Sequence, residues 1–265
     1  MNSSSNTNKI YKVDSAYGGI IKAVIILLFV VGGASLWLII KLGFNNPQTA
    51  QYKLLPFLCI ALGALLFYRG KQLSNQSSFK LTDDAIIIIE SKTRTERAIQ
   101  LKDIIEQRTF YLGKTYQVEH LAFRKSENED WYIIGIGIKQ SRELIQRFKD
   151  AYLHNRLPIL QSMLNNGKKV IFNMSSSSDV FKNKITALKT TDMLKGFDEI
   201  VEVNSERISF KGKEYYFSDI QSVTFPSDGE IAVYSKTGDK LFTVYYLLIS
   251  NPELFFELLK SRLHN

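Results

Sequence analysis

A chain of 265 residues that is 45% hydrophobic, 12% aromatic and 23% charged has ample apolar surface to bury, which excludes a disordered polymer. Fifteen Gly and five Pro exclude collagen-like or low-complexity structure, and a single Cys excludes a disulfide framework or a multi-cysteine zinc site. The net charge of +8 does not describe a nucleic-acid binder: five basic residues and one acid precede Arg69, and the 29 basic and 25 acidic residues from Arg69 onward are interleaved.

The first 19 residues read as a polar N-terminal tail. Ile20 to Ile40 follows as 21 residues with one charge, Lys22, and spans about 31 Å as a helix, enough for a hydrocarbon core. Lys22 can snorkel, and Trp37 suits the far interface. Leu54 to Tyr68 is a second apolar run of 15 residues, about 22 Å long if helical. Tyr52 and Tyr68 are placed as interfacial anchors, and local thinning can absorb the short length. Residues 20–68 are therefore expected to form a two-helix transmembrane hairpin with the lipid bilayer as partner. Two other readings stand beside it: a signal peptide for the first run, and a buried or re-entrant helix for the second.

Basic residues set the expected orientation. Lys9, Lys12 and Lys22 precede or open the first run, and Arg69, Lys71 and Lys80 follow the second. The connection holds only Lys41 and Lys53. This predicts a multi-pass protein of the cell (inner, cytoplasmic) membrane with both termini cytoplasmic.

From Phe79 the pattern changes to short β-type runs. Strands are expected at Ala85–Glu90, Arg97–Leu101, Ile104–Tyr111, Gln117–Arg124 and Asp130–Ile138, with a polar turn at Ser91–Glu96. Ser141 offers an N-cap to a helix carrying Leu144, Ile145, Phe148, Tyr152 and Leu153. The plan then repeats. Arg207–Lys211, Lys213–Phe217, Ile220–Phe225, Glu230–Ser235 and Lys240–Tyr246 read as strands, with turns at Gly212 and Thr237-Gly238-Asp239. Asn251 is the expected N-cap of a last helix, with Pro252 at its first position and a stripe of Leu254, Phe255, Leu258 and Leu259.

Leu101-Lys102-Asp103-Ile104 and Phe217-Ser218-Asp219-Ile220 mark the same point in both copies, which predicts an internal duplication. This strands-then-helix unit with its Asp-Ile turn resembles bacterial pleckstrin-homology (PH)-like domains. The connector from Arg156-Leu157-Pro158 to Asn166-Gly167-Lys168 and the Ile249-Ser250-Asn251-Pro252 helix start are similar to a family of uncharacterised bacterial membrane proteins with two such units. The resemblance covers Phe79 to Leu263 and implies a fold, not an activity. The expected fold class is thus a membrane-anchored α+β protein: a transmembrane hairpin and two PH-like units, each a β half-barrel closed by a C-terminal helix. Domains are expected at 79–155 and 199–265, with a strand at 168–173 contributing to the second. Residues 156–198 form a connector and a Ser-rich insertion, in which Leu188 to Leu194 suit a short helix.

Catalytic signals are weak. His120, His154 and His264 lack metal-ligand spacing, and Ser175–Ser178 has no adjacent base. Gly135 and Gly137 lie inside an expected strand and suggest bending or close backbone approach. No enzyme, metal or cofactor is expected. Because a basic first hairpin cradles inositol phosphates in PH domains, the resemblance implies an anionic-ligand contact at Lys92, Arg94 and Arg97. A solvated turn that also carries Glu90 and Glu96 is the competing reading. The expected function is a non-catalytic interaction module binding an unidentified protein partner and no nucleic acid. The alternatives are an anionic-lipid or phosphate sensor and a membrane enzyme or transport accessory.

Overall fold

A computed structural model describes residues 9–13, 15–43, 53–74, 77–110, 120–135, 137–175, 194, 199–225 and 229–263. It is an α+β structure with an N-terminal apolar helix and several antiparallel sheets. The expected helix at 188–194 falls outside the described residues except for Leu194, and so does His264.

Two long helices come first, α1 (Ser15–Leu42) and α2 (Leu55–Ser74), and they pack against each other. Close approach needs a glycine at the seam: a Cβ on Gly32 would lie 3.1 Å from Cys59 Cβ. Most of the apolar surface of α1 stays exposed, with Ile26, Leu27, Phe29, Val30 and Trp37 each about 60% accessible. Gly19–Leu42 is long and apolar enough to cross a membrane, whereas the apolar part of α2, Leu55–Tyr68, is shorter.

The sheets follow a plan that occurs twice. A four-stranded antiparallel sheet is built from β1 (Ile10–Tyr11), β2 (Ser78–Leu81), β3 (Ala85–Ile89) and β4 (Glu96–Gln100). A 3₁₀ turn at Leu101–Asp103 leads into a three-stranded sheet of β5 (Glu106–Phe110), β6 (His120–Arg124) and β7 (Tyr132–Ile134), and then into α3 (Ser141–Asn165). The second round has β8 (Val170–Met174), β9 (Glu199–Val203), β10 (Arg207–Phe210) and β11 (Lys213–Tyr216). After a 3₁₀ turn at Phe217–Asp219 come β12 (Ile220–Thr224), β13 (Glu230–Ser235), β14 (Lys240–Tyr245) and α4 (Pro252–Leu263). The shared Asp-Ile signature is this 3₁₀ turn, and each Ile that follows it is buried (Ile104 and Ile220).

Local chemistry explains most of these elements. Ile208 and Phe210 alternate inward on β10, and the chain reverses through Lys211 (φ 51°) and Gly212 (φ 75°), the paired positive angles of a two-residue hairpin. The apolar face of α4 buries Leu254, Phe255, Leu258 and Leu259 completely.

Three expectations change. First, residues 9–13 are not a free tail. Tyr11 pairs with Phe79 across the β1–β2 ladder and is 1% exposed, and Val13 bridges to Ile138. Second, the connector expected to begin at Arg156 continues the preceding helix, so that one helix, α3, runs through Pro158 to Asn165. The carbonyl that Pro158 leaves unpaired belongs to His154, on an exposed turn where water can take it. Third, Ser141 is the first residue of α3, and the cap position is Gln140, in a left-handed conformation at φ 60°.

One hydrophobic core runs from Tyr11 and Phe79 through Phe123, Phe148 and Leu164 to Phe172 and Phe255. Helix α3 is its spine. It packs on β2 and β6 on one side and on β8 and α4 on the other. The two rounds of strands therefore share a core, because α3 is apolar along both of its halves.

Candidate functional site

A buried polar seam forms where the start of α4 meets strand β5. All five residues of β5, including Glu106, Gln107, Arg108 and Thr109, are buried. Such a sequence suits a solvated edge, and its burial calls for partners for the polar groups; most have them, while Gln107 Oε1 and Thr109 Oγ1 have none among the described residues.

Asn251 supplies the central set. Its backbone is left-handed (φ 51°), a conformation that Asn tolerates better than most residues. Its N–H donates to Gln107 O at 2.9 Å. Its Oδ1 accepts from Gln107 N at 2.7 Å and from the Tyr152 hydroxyl at 3.0 Å, and its Nδ2 donates to Ile105 O at 3.0 Å. The side chain expected to cap α4 thus pairs instead with the free edge of β5, as a further strand would. Desolvation raises the pKa of the fully buried Tyr152, so its hydroxyl stays protonated.

Beside Asn251, Lys149 of α3 forms an ion pair with Glu253 at 2.7 Å and donates to the Tyr246 hydroxyl at 2.5 Å. Tyr246 donates to Glu253, and Gln107 Nε2 reaches the other carboxylate oxygen at 2.9 Å. Glu106 is held by Arg124 Nε at 2.7 Å and by Asn173 Nδ2 at 3.3 Å. Arg124 also lies over the Trp131 ring at 4.6 Å. Arg108 Nη2 donates to Ser175 Oγ at 2.7 Å and to Leu248 O at 3.3 Å, and burial lowers its pKa to about 10. Ser175 therefore accepts from a guanidinium, which does not remove its proton as a general base would.

The sequence-predicted residues lie elsewhere. Lys92 and Arg94 are exposed on the β3–β4 hairpin, with Arg94 at φ 55°. Arg97 turns away to Glu129 at 2.8 Å and the Tyr132 hydroxyl at 2.5 Å, and the Glu129 bond raises its pKa. Gly137 sits in a turn, so the strand expected to reach Ile138 ends at Ile134. Gly135 meets its expectation of close approach: an added Cβ would lie 2.6 Å from His120 Nδ1. His120 itself is buried, stacked on Phe110 at 5.0 Å, with both ring nitrogens lacking a hydrogen-bond partner. Among the described residues, no group of three or more His, Cys, Asp or Glu side chains is placed to hold a metal ion.

Desolvation lowers the His120 pKa to about 4, against about 6.5 in an unfolded chain. The folded state holds the ring neutral, so this stabilisation is complete above about pH 6.5 and is lost as pH falls toward 4. The loss is expected to reach about 3 kcal/mol. Thermal unfolding in detergent at pH 7.5 and 4.5 should show a steeper decline for the native chain than for His120→Leu. Equal declines would place the acid sensitivity elsewhere.

The seam was not legible beforehand because its partners are distant in sequence. The one available signal was the run Glu106-Gln107-Arg108-Thr109, polar on both faces inside an otherwise apolar strand pattern. No protein-family model matches the chain, and no curated protein matches it.

Proposed function

We propose that the protein is a membrane-anchored, non-catalytic interaction module that presents two PH-like units to the cytoplasm. The observation that carries this reading is the β1–β2 ladder. Strand β1 precedes α1 and β2 follows α2, yet Ile10 and Tyr11 pair with Lys80 and Phe79. A chain that crossed the bilayer once between them would leave the two strands on opposite sides. The pairing supports a hairpin in which α2 returns across the membrane, local thinning of the bilayer absorbing the short length of its apolar part. The exposed apolar surface of α1 supports lipid as its surroundings. The six basic residues near the paired ends, against Lys41 and Lys53 at the other end, support a cytoplasmic location for both termini.

The PH-like reading draws on the plan of each round: a four-stranded sheet, a 3₁₀ turn, a three-stranded sheet and a helix, with α1 and α2 inserted between β1 and β2 in the first. A non-catalytic role draws on the seam, where Lys149 pairs with Glu253, Arg124 with Glu106, and Arg108 donates to Ser175 and the Leu248 carbonyl. The interaction module is preferred to a phosphate-cradling hairpin because Arg97 is engaged by Glu129 and Tyr132.

Topology can be read with single cysteines in a Cys59→Ala background. A membrane-impermeant thiol reagent applied to intact cells is expected to label Thr49→Cys and to spare Ser218→Cys until the cells are opened. Labelling of Ser218→Cys in intact cells would overturn the cytoplasmic placement.

A further inference from the structure

The two rounds of strands are alike enough to act as controls for each other. Val13 bridges to Ile138 in the first, and Met174 to Ile249 in the second. Lys139 N donates to Lys12 O at 2.9 Å, and Ser250 N donates to Asn173 O at 2.8 Å. Gln140 and Asn251 both hold positive φ and open the closing helix by accepting from Leu144 N and Phe255 N. Position by position, Lys12 corresponds to Asn173, Lys139 to Ser250, Gln140 to Asn251 and Arg142 to Glu253.

The same corner of the fold meets different surroundings in each round. In the second, Ser250 and Asn251 are 2% and 6% exposed, Asn251 is paired with β5, and Glu253 pairs with Lys149. In the first, Lys12, Lys139, Gln140 and Arg142 are all exposed. Three positions that are neutral or acidic at the protein contact are cationic here. The difference also weighs against a second copy docking head to tail. The position equivalent to Lys149 on α4 is Lys260, so Arg142 would meet another cation where Glu253 meets Lys149.

What this corner faces follows from the chain path. Helix α1 starts at Ser15, two residues after Val13, so Lys12 and Lys139 surround the point where the chain enters the apolar helix. We propose that Lys12, Lys139 and Arg142 form a docking surface for the headgroups of anionic phospholipids, fixing the first unit against the bilayer. This rests on the hairpin reading above. Lys9 is not counted, because Glu143 holds it at 2.6 Å. The surface supplies cations at the depth of the headgroup phosphates, where hydrogen-bonded charge pairs form with little rearrangement of the protein.

The test uses the full chain in lipid nanodiscs, of phosphatidylcholine alone or with about one-third phosphatidylglycerol, followed by amide hydrogen exchange. Residues 137–145 are expected to exchange roughly fivefold more slowly in the anionic discs, with the difference abolished by high salt. It should also vanish in Lys12→Gln/Lys139→Gln/Arg142→Gln, while protection of β2 and β3 is unchanged. Equal exchange of the native chain in both discs would overturn the proposal. So would a lipid-dependent difference that survives in the triple variant, since it would then come from Lys22, Arg69 or Lys71. A single charge reversal at the exposed Lys139, Lys139→Glu, should reduce the lipid-dependent difference in the same direction, and an unchanged difference would count against the proposal. The cysteine labelling above reports separately on the hairpin, so failure of one reading is distinguishable from failure of the other.

Discussion

Tyr11→Ala is expected to destabilise the folded chain by about 3–5 kcal/mol, the usual cost of emptying a buried aromatic site. Tyr11 lies in a two-residue strand ahead of the first long helix, yet it is among the largest fully buried side chains. Its ring fills the core beside Phe79, and its hydroxyl donates to Glu143 and accepts from Arg147, each at 3.0 Å. Desolvation raises the Tyr11 pKa, so the hydroxyl remains a donor at neutral pH. The neighbouring Ile10 is 45% exposed, and Ile10→Ala should cost less than about 1 kcal/mol. Thermal and denaturant unfolding of the two variants in the same detergent checks the contrast. Equal, small effects would mean that the N-terminal strand does not contribute to the core. The same contact implies that a soluble fragment lacking the first 68 residues would leave a core site empty.

Asn251→Ala should be about as damaging, at roughly 3–5 kcal/mol, for a different reason. Little apolar surface is lost. Instead Gln107 N–H and Ile105 C=O lose their partner together, and the Tyr152 hydroxyl keeps only Ile104 O, at 3.2 Å. Each buried orphan costs about 1–3 kcal/mol. Asn251→Gly leaves the same orphans but removes the strain of a side chain at φ 51°, so it should be milder than Ala by about 1 kcal/mol. Unfolding measurements on both variants separate the two effects. A loss below about 1 kcal/mol for Asn251→Ala would show that the seam is not held by this residue.

These two residues also show where sequence reasoning stops. Asn251 was recognisable as the residue before a Pro-initiated helix, and it does stand there. Its side chain spends its hydrogen bonds on a strand edge more than 140 positions earlier in the chain. No periodicity encodes that choice, because it depends on which polar edge the folded core leaves open. Tyr11 gave less warning still. A two-residue strand is too short to show alternation, and its partner Phe79 lies beyond two long helices. The basic hairpin illustrates the converse: Lys92, Arg94 and Arg97 are close in sequence, but Arg97 is drawn to Glu129 and Tyr132 on another hairpin.

The sequence by itself determined the elements whose physics is local. The long apolar helix at the N-terminus is a matter of composition. The strands around Gly212 and Gly238 follow from alternation and turn chemistry, and the buried face of α4 follows from its 3.6-residue period. The Asp-Ile turns recur because the same short chemistry is written twice. Only the tertiary structure decided that residues 9–13 close the first sheet, that one unbroken helix carries a core shared by both rounds, and that Asn251 and Lys149 lock α4 to β5 and α3. Each of those pairs residues far apart along the chain. Their energy comes from burying apolar surface and satisfying polar groups together, and neither gain exists until the distant segments have met.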